Sequence, residues 1–193
     1  DKQAIAVDRN QRGWLAQGMS RMQGSKTYDL KEVFFWGPHT EADDMDVRAC
    51  KPLCAVNQWP RDFPRLYEDL IPYYDAVCQI ARHVMAAVAV SLDQPANFFD
   101  KAYAKPLARG QMVYYPASTL QDDAEARFGV APHTDFGVLT VLLQDSSGGL
   151  QVRANSGDWI EAPPIPGTLV CNIGDLLARW SNKRFASTVH RVI

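Results

Sequence analysis

After Arg109 the chain becomes a series of short runs rich in β-branched and aromatic residues: "GQMVYYP", "GVLTVLLQD", "GLQVRA", "GTLVCNIG" and "FASTVHRVI". They are separated by "SSGG", "NSGD" and "PPIPG", whose Gly, Pro, Asn and Asp residues favour tight turns. Apart from a short helix expected at "DLLARW", nothing between them is long enough for the crossover helices of a parallel sheet. Closely spaced strands of this kind close into a jelly roll or barrel, not an alternating α/β sheet. The expectation is a mainly β protein with flanking helices and a jelly-roll core over residues 109–193.

Residues 1–108 read as a mostly helical N-terminal part. From Pro64 an apolar stripe recurs every three or four residues through Leu66, Leu70, Tyr73, Val77, Ile80, Val84 and Val88. That periodicity predicts one long helix, whose commonest task is to cover a sheet. Pro64 suits its first turn, Pro72 is expected to kink it, and "SLDQP" ends it. "ANFFDKAY" is expected to form a short second helix. "TYDLKEVFFWG" is expected to add a strand, with Phe34, Phe35 and Trp36 as core. His83 falls on the long helix and reads as an ordinary packed or half-exposed histidine.

The 193 residues are 47% hydrophobic, enough for one domain with a substantial core. No repeat, low-complexity tract or Gly/Ser linker divides the chain, so a single domain over 1–193 is expected. A net charge of −2 gives no electrostatic case for nucleic acid or an anionic membrane. No apolar run approaches the length needed to span a bilayer. Cys50, Cys54, Cys78 and Cys171 read as buried free thiols of a reducing cytoplasm; "CKPLC" lacks the second pair that a zinc knuckle needs. The start "DKQAIAVDRN" has no signal-peptide profile, and "STVHRVI" stops inside a β-type run, so both ends read as incomplete. Oligomeric state is not legible.

Two histidine–carboxylate pairs raise the question of a metal: His133 with Asp135, and His39 with Glu41. With 4 histidines and 22 acidic residues, chance supplies roughly 0.4 to 0.5 such pairs, so context must decide. On an extended chain residues i and i+2 point the same way, with Cα atoms roughly 6 to 7 Å apart, and can converge on one ion. "FGVLTVLLQD" after Asp135 offers a strand anchored in the core, whereas "ADDMD" after Glu41 reads as a solvated loop. The pair at 133 and 135 is the better candidate. A third ligand is needed, and His190 lies on a late strand that a jelly roll could bring alongside. Two histidines and a carboxylate on one face leave three open octahedral positions, the facial triad of non-haem Fe(II) oxygenases. Zinc would favour four-coordinate geometry with a bound water.

At this point "PHTDFGVLTVLLQDSSGGLQV" and "GDWIEAPPIPGTLVCNIGDLLARWSNKRFASTVHRV" resemble the isopenicillin N synthase-like branch of the Fe(II)/2-oxoglutarate-dependent dioxygenases. The resemblance implies a double-stranded β-helix core and Fe(II) held by His133, Asp135 and His190. It also implies oxidation of a small organic molecule by O2, coupled to decarboxylation of 2-oxoglutarate to succinate and CO2. The family's Arg-x-Ser motif, which grips the far carboxylate of 2-oxoglutarate, falls about ten residues beyond the distal histidine, outside this sequence. Arg191 is no substitute, since its strand neighbour His190 would face the ion; packing or an outer-face salt bridge is expected instead. Tyr115 of "YYP" matches a family position near the co-substrate carboxylate, although Val113 stands where many relatives carry Asn. Two alternatives remain open: an iron-dependent oxidative cyclase that does not use 2-oxoglutarate, and a non-catalytic small-molecule-binding jelly roll.

Overall fold

Val33, Phe34 and Trp36 are almost fully buried on the central strand of a three-stranded antiparallel sheet. This is seen in a computed structural model that describes residues 2–22, 24, 26–124 and 127–193. The sheet comprises β1 (Gly13–Leu15), β2 (Glu32–Trp36) and β3 (Gly110–Tyr114), in that order. Phe34 and Trp36 point to one side and pack with Tyr74 from the long helix, along with Trp14, Trp59, Leu66, Leu70 and Cys78. Fully burying a side chain such as Phe34 contributes about 1.5–3 kcal/mol. Tyr74 also donates its hydroxyl proton to the Ala108 carbonyl at 3.1 Å. Phe35 carries the Arg109 guanidinium over its ring.

Two helices follow β2: a four-residue α1 (Met45–Arg48), capped by the Asp44 carboxylate, and α2 (Arg65–Ser91). The helix α2 continues through Pro72 and stops where expected. Asp93 takes φ +60°, and the Gln94 and Asp93 N–H groups return to the carbonyls of Ala89 and Val90. That is the hydrogen-bond pattern of a Schellman stop, with Asp replacing the usual Gly.

Three expectations are corrected. The buried face of α2 runs through Tyr74, Met85, Val88 and Ala89, whereas Tyr73 and Ile80 are 36% and 40% exposed. With tyrosine at both 73 and 74, the apolar pattern fits two faces, and contact with the sheet selects one. "ANFFDKAY" forms turns, not a helix, with N–H bonds such as Phe98 to Pro95 O spanning three residues. And β3, expected to open the jelly-roll core, pairs along its length with β2 instead.

The chain divides into two compact units, Asp1–Gln17 with Glu32–Tyr114, and Gly18–Lys31 with Tyr115–Ile193. The first unit holds the sheet and helices just described. The second carries α3 (Leu120–Ala124) and the jelly-roll strands β4 (Val130–His133), β5 (Leu139–Leu142), β6 (Leu150–Arg153), β7 (Trp159–Glu161), β8 (Val170–Ile173) and β9 (His190–Val192). They form a four-stranded sheet in the order β4-β9-β6-β7 and a two-stranded sheet β5-β8, all antiparallel. Between β8 and β9, α4 (Asp175–Trp180) occupies the "DLLARW" segment and plugs the fully buried Leu177 into the core. Among the described residues no helix is long and apolar enough to cross a membrane.

Candidate metal centre

His133 is the last residue of β4 and His190 the first of β9, and the two are direct cross-strand partners. Asp135 lies beyond the strand end, in the connection to β5. Its convergence with His133 is therefore not the alternation of a continuous strand. The loop that carries it is pinned from β8 and α4: the Asp175 N–H donates to Asp135 O at 2.7 Å and the Gly174 N–H to Val138 O at 3.0 Å. Gly174 permits this approach, because a Cβ there would stand 2.2 Å from Gly137 O and 2.9 Å from Asp135 O.

The three side chains present one ligand atom each within 4.8 Å of one another. His133 Nε2 and His190 Nε2 each lie 3.7 Å from Asp135 Oδ1. The Nδ1 of His133 stands 2.9 Å from Ala131 O, and that of His190 3.0 Å from Thr188 O. A carbonyl only accepts, so both rings carry their proton on Nδ1 and turn the Nε2 lone pair toward Asp135. The approach of Asn172 Nδ2 to His190 Nδ1, at 3.5 Å, would set donor against donor and is a contact, not a bond.

Electrostatics suit a cation. Burial holds the His133 pKa below its usual value; the nearby His190 acts in the same direction and the Ala131 carbonyl opposes it. The imidazole is thus neutral where a metal ligand must be. Burial works against the Asp135 charge, yet donors from Thr140 and Asn172, with both histidines, hold its pKa below the ordinary carboxylate range. Two imidazoles and one carboxylate, with no thiolate, suit a divalent first-row metal such as iron. Donors about 2.1 Å from one ion stand about 3 Å apart at right angles, so closure asks for side-chain shifts of under about 1 Å. The residues present fit the group.

The other candidates separate clearly. His39 and Glu41 bond to each other at 2.9 Å on the surface, with side chains 51% and 74% exposed, and gather no third ligand among the described residues. All four cysteines are free thiols, but they are not buried as expected: Cys50 and Cys171 are exposed, and Cys54 and Cys78 half-buried. Arg191 faces away from the site as expected: its Nε donates to Gln151 at 2.7 Å and its guanidinium lies 4.1 Å from the centre of the Trp159 ring. The hydrogen-bond partners described for the three side chains are Ala131, Thr188, Thr140 and Asn172, not Tyr115. Its ring packs over Gly129, where a Cβ would come within 3.0 Å of it. Burial, helped by the charge of Asp29, pushes the Tyr115 hydroxyl up to about 12.

Sequence reasoning missed the partners of Asp135. Thr140 and Asn172 donate to Asp135 Oδ2 at 2.7 and 2.8 Å. A lone Asn inside the apolar run "LVCNIG" was the available signal, since a polar side chain on a packed strand needs a partner. Also missed was Asp29, 1% exposed, which accepts from Ser20 Oγ at 2.9 Å and from the Ala131 N–H at 3.1 Å, with Lys31 Nζ at 3.3 Å. It anchors the start of the strand that ends in His133.

Comparison with known proteins bears on this arrangement. Residues 109–193 match the model of the 2OG-Fe(II) oxygenase superfamily. A curated relative, 2-oxoglutarate-Fe(II) type oxidoreductase hxnY of Emericella nidulans, is 34% identical across 100% of this chain and 57% of its own length. Homoarginine-6-hydroxylase 2-ODD-233 of Oryza sativa is 38% identical over 74% of this chain and 44% of its own. Among solved structures, a full-length Neurospora crassa protein in complex with alpha-KG and thymine superposes with a TM-score of 0.83 at 31% identity, covering 100% of this chain and 60% of that one. The chain thus spans about half the length of such relatives. A jelly roll of this topology, matched over its β-rich part by the family model and over its whole length by relatives, places this chain in the 2OG-Fe(II) oxygenase superfamily.

Proposed function

We propose that the protein is a non-haem Fe(II) oxygenase, an oxidoreductase that oxidises a small organic molecule with O2 while converting 2-oxoglutarate to succinate and CO2. In this reading His133, Asp135 and His190 hold the iron. The observation that carries it is the pair of 3.7 Å approaches of both Nε2 atoms to a single oxygen, Asp135 Oδ1. Relatives named as 2-oxoglutarate-Fe(II) oxidoreductases and neighbours solved with alpha-KG favour this chemistry over a non-catalytic binder.

Iron, when bound, would supply the redox chemistry and the coordination positions at which 2-oxoglutarate and O2 meet. This chain's residues would supply placement. The Ala131 and Thr188 carbonyls fix the imidazole tautomers, and the depressed His133 pKa keeps that ring free for a metal at neutral pH. The connection from β4 to β5, held by α4, sets the carboxylate. We assign Tyr115 to the co-substrate carboxylate: with its pKa near 12 the hydroxyl stays protonated and can only donate to an anion. The free thiols fit a reducing compartment, and a cytoplasmic location is proposed.

The test is turnover by the complete protein. Incubated with Fe(II), ascorbate and 2-oxoglutarate, it is expected to release succinate slowly even without its own substrate. No succinate from protein shown to hold iron would overturn the 2-oxoglutarate assignment.

A further inference from the structure

Asp135 is held from one side by two residues that face each other across a strand pair. Strands β5 and β8 set Thr140 and Asn172 in direct register, so their side chains leave the same face side by side. Thr140 Oγ1 donates to Asp135 Oδ2 at 2.7 Å, and Asn172 Nδ2 donates to the same oxygen at 2.8 Å. The other oxygen, Oδ1, is the one 3.7 Å from both histidine nitrogens. The two oxygens have therefore divided their work. Oδ2 accepts two hydrogen bonds, as many as it has lone pairs, which leaves Oδ1 to offer its own to an ion.

We propose that Thr140 and Asn172 are positioning residues that make Asp135 a one-oxygen ligand. The proposal rests on reading His133, Asp135 and His190 as the metal site. Carboxylates bind metals through one oxygen or through both, and the choice changes how many positions remain. Three protein donors leave three octahedral positions, enough for a chelating 2-oxo acid and O2. If Oδ2 swung onto the ion, a fourth protein donor would leave two, one too few. Two hydrogen bonds at normal length oppose that rotation, because each would have to break. Their geometry is set by main-chain pairing, not by a flexible side chain reaching across. The two partners are unequal. Asn172 is half-buried and not readily replaced by water, whereas Thr140 is exposed and its hydroxyl has a solvent substitute. The Asn172 amide is the stronger determinant.

The test loads the complete protein with Co(II), whose visible spectrum reads coordination number and geometry. Asn172→Ala is expected to weaken Co(II) binding by about 10- to 100-fold and to change the spectrum, as losing a partner of a metal ligand commonly does. Thr140→Val should do the same less strongly, and Thr140→Ser, which keeps the hydroxyl, should restore the parent affinity and spectrum. Circular dichroism and melting curves identify variants that fold, and the Val/Ser pair at 140 decides the matter if Asn172→Ala does not fold. Parental Co(II) affinity and spectrum in folded Asn172→Ala and Thr140→Val would overturn the proposal. Asp135→Ala runs alongside: if it leaves Co(II) binding intact, the metal-site reading itself has failed. If it abolishes binding while the positioning variants change nothing, only the present inference has.

Discussion

His133 and His190 meet as direct cross-strand partners on β4 and β9, with ring centroids 4.3 Å apart. Two side chains so placed hold one ion only if both are present. His133→Ala and His190→Ala are each expected to abolish tight Co(II) or Fe(II) binding. Thermal melts give the readout: metal at 100 times its dissociation constant should stabilise the parent by about 2.7 kcal/mol, and neither variant should respond. An equal upward shift in the parent and in His190→Ala would remove His190 from the ligand set.

Asp29 reaches the same strand from behind. Asp29→Ala strands the buried Lys31 ammonium and the Ala131 N–H at once, a combination expected to cost about 3–5 kcal/mol. Urea titration measures that loss. Because Ala131 lies two residues before His133, metal affinity should fall in the same variant. Asp29→Asn keeps an acceptor for the N–H and should lose less on both counts.

Gly174 is expected to tolerate no side chain. Its φ of −96° is ordinary, so the obstacle is purely steric: an added methyl would meet the backbone oxygens of Gly137 and Asp135. Gly174→Ala should therefore push the Asp135 loop aside and lower metal affinity by about tenfold or more. Isothermal titration with Co(II) checks it, and an unchanged affinity would mean that the loop has room to move.

The stretch "ADDMD", expected as a solvated loop, instead caps and opens α1, and Asp46 in its first turn yields a prediction about acid. Asp46 is hydrogen-bonded to Lys105 and Lys51, and these ammonium groups lower its pKa to about 2. Its unfolded value is about 3.9, so the folded state binds this proton more weakly. The contribution to stability is complete above about pH 4 and fades as pH falls toward 2. The stability gap between the parent and Asp46→Asn, from urea titrations, should be flat from pH 5 to 7 and close on acidification. In an NMR titration, Lys105→Ala should move the Asp46 midpoint upward.

How far the sequence foretold all this depends on the range of the interaction. Runs such as "GLQVRA" and "GTLVCNIG" announce strands through local β-branched content, and "DLLARW" is α4 to the residue. Val130–His133 contains Pro132, which cannot donate to a ladder, yet it is a strand with β9 beside it, and the register shifts along the pair. The two histidines could be paired from sequence because metal chemistry demands a third ligand and few histidines remain. Thr140 and Asn172 could not, since ordinary residue types acquire their role only when β5 meets β8. The same limit hid the joining of residues 18–31 to the second unit, where the Leu30 N–H bonds to Phe128 O at 2.8 Å.

The three-residue β9 sits in the interior of its sheet, with neighbours on both edges. A one-residue slip there would exchange the inward imidazole for the adjacent guanidinium of Arg191 and repel the cation of the proposed site. In the proposed site, loading with metal would thus act as an inspection of strand alignment, accepting only molecules whose sheet has zipped correctly.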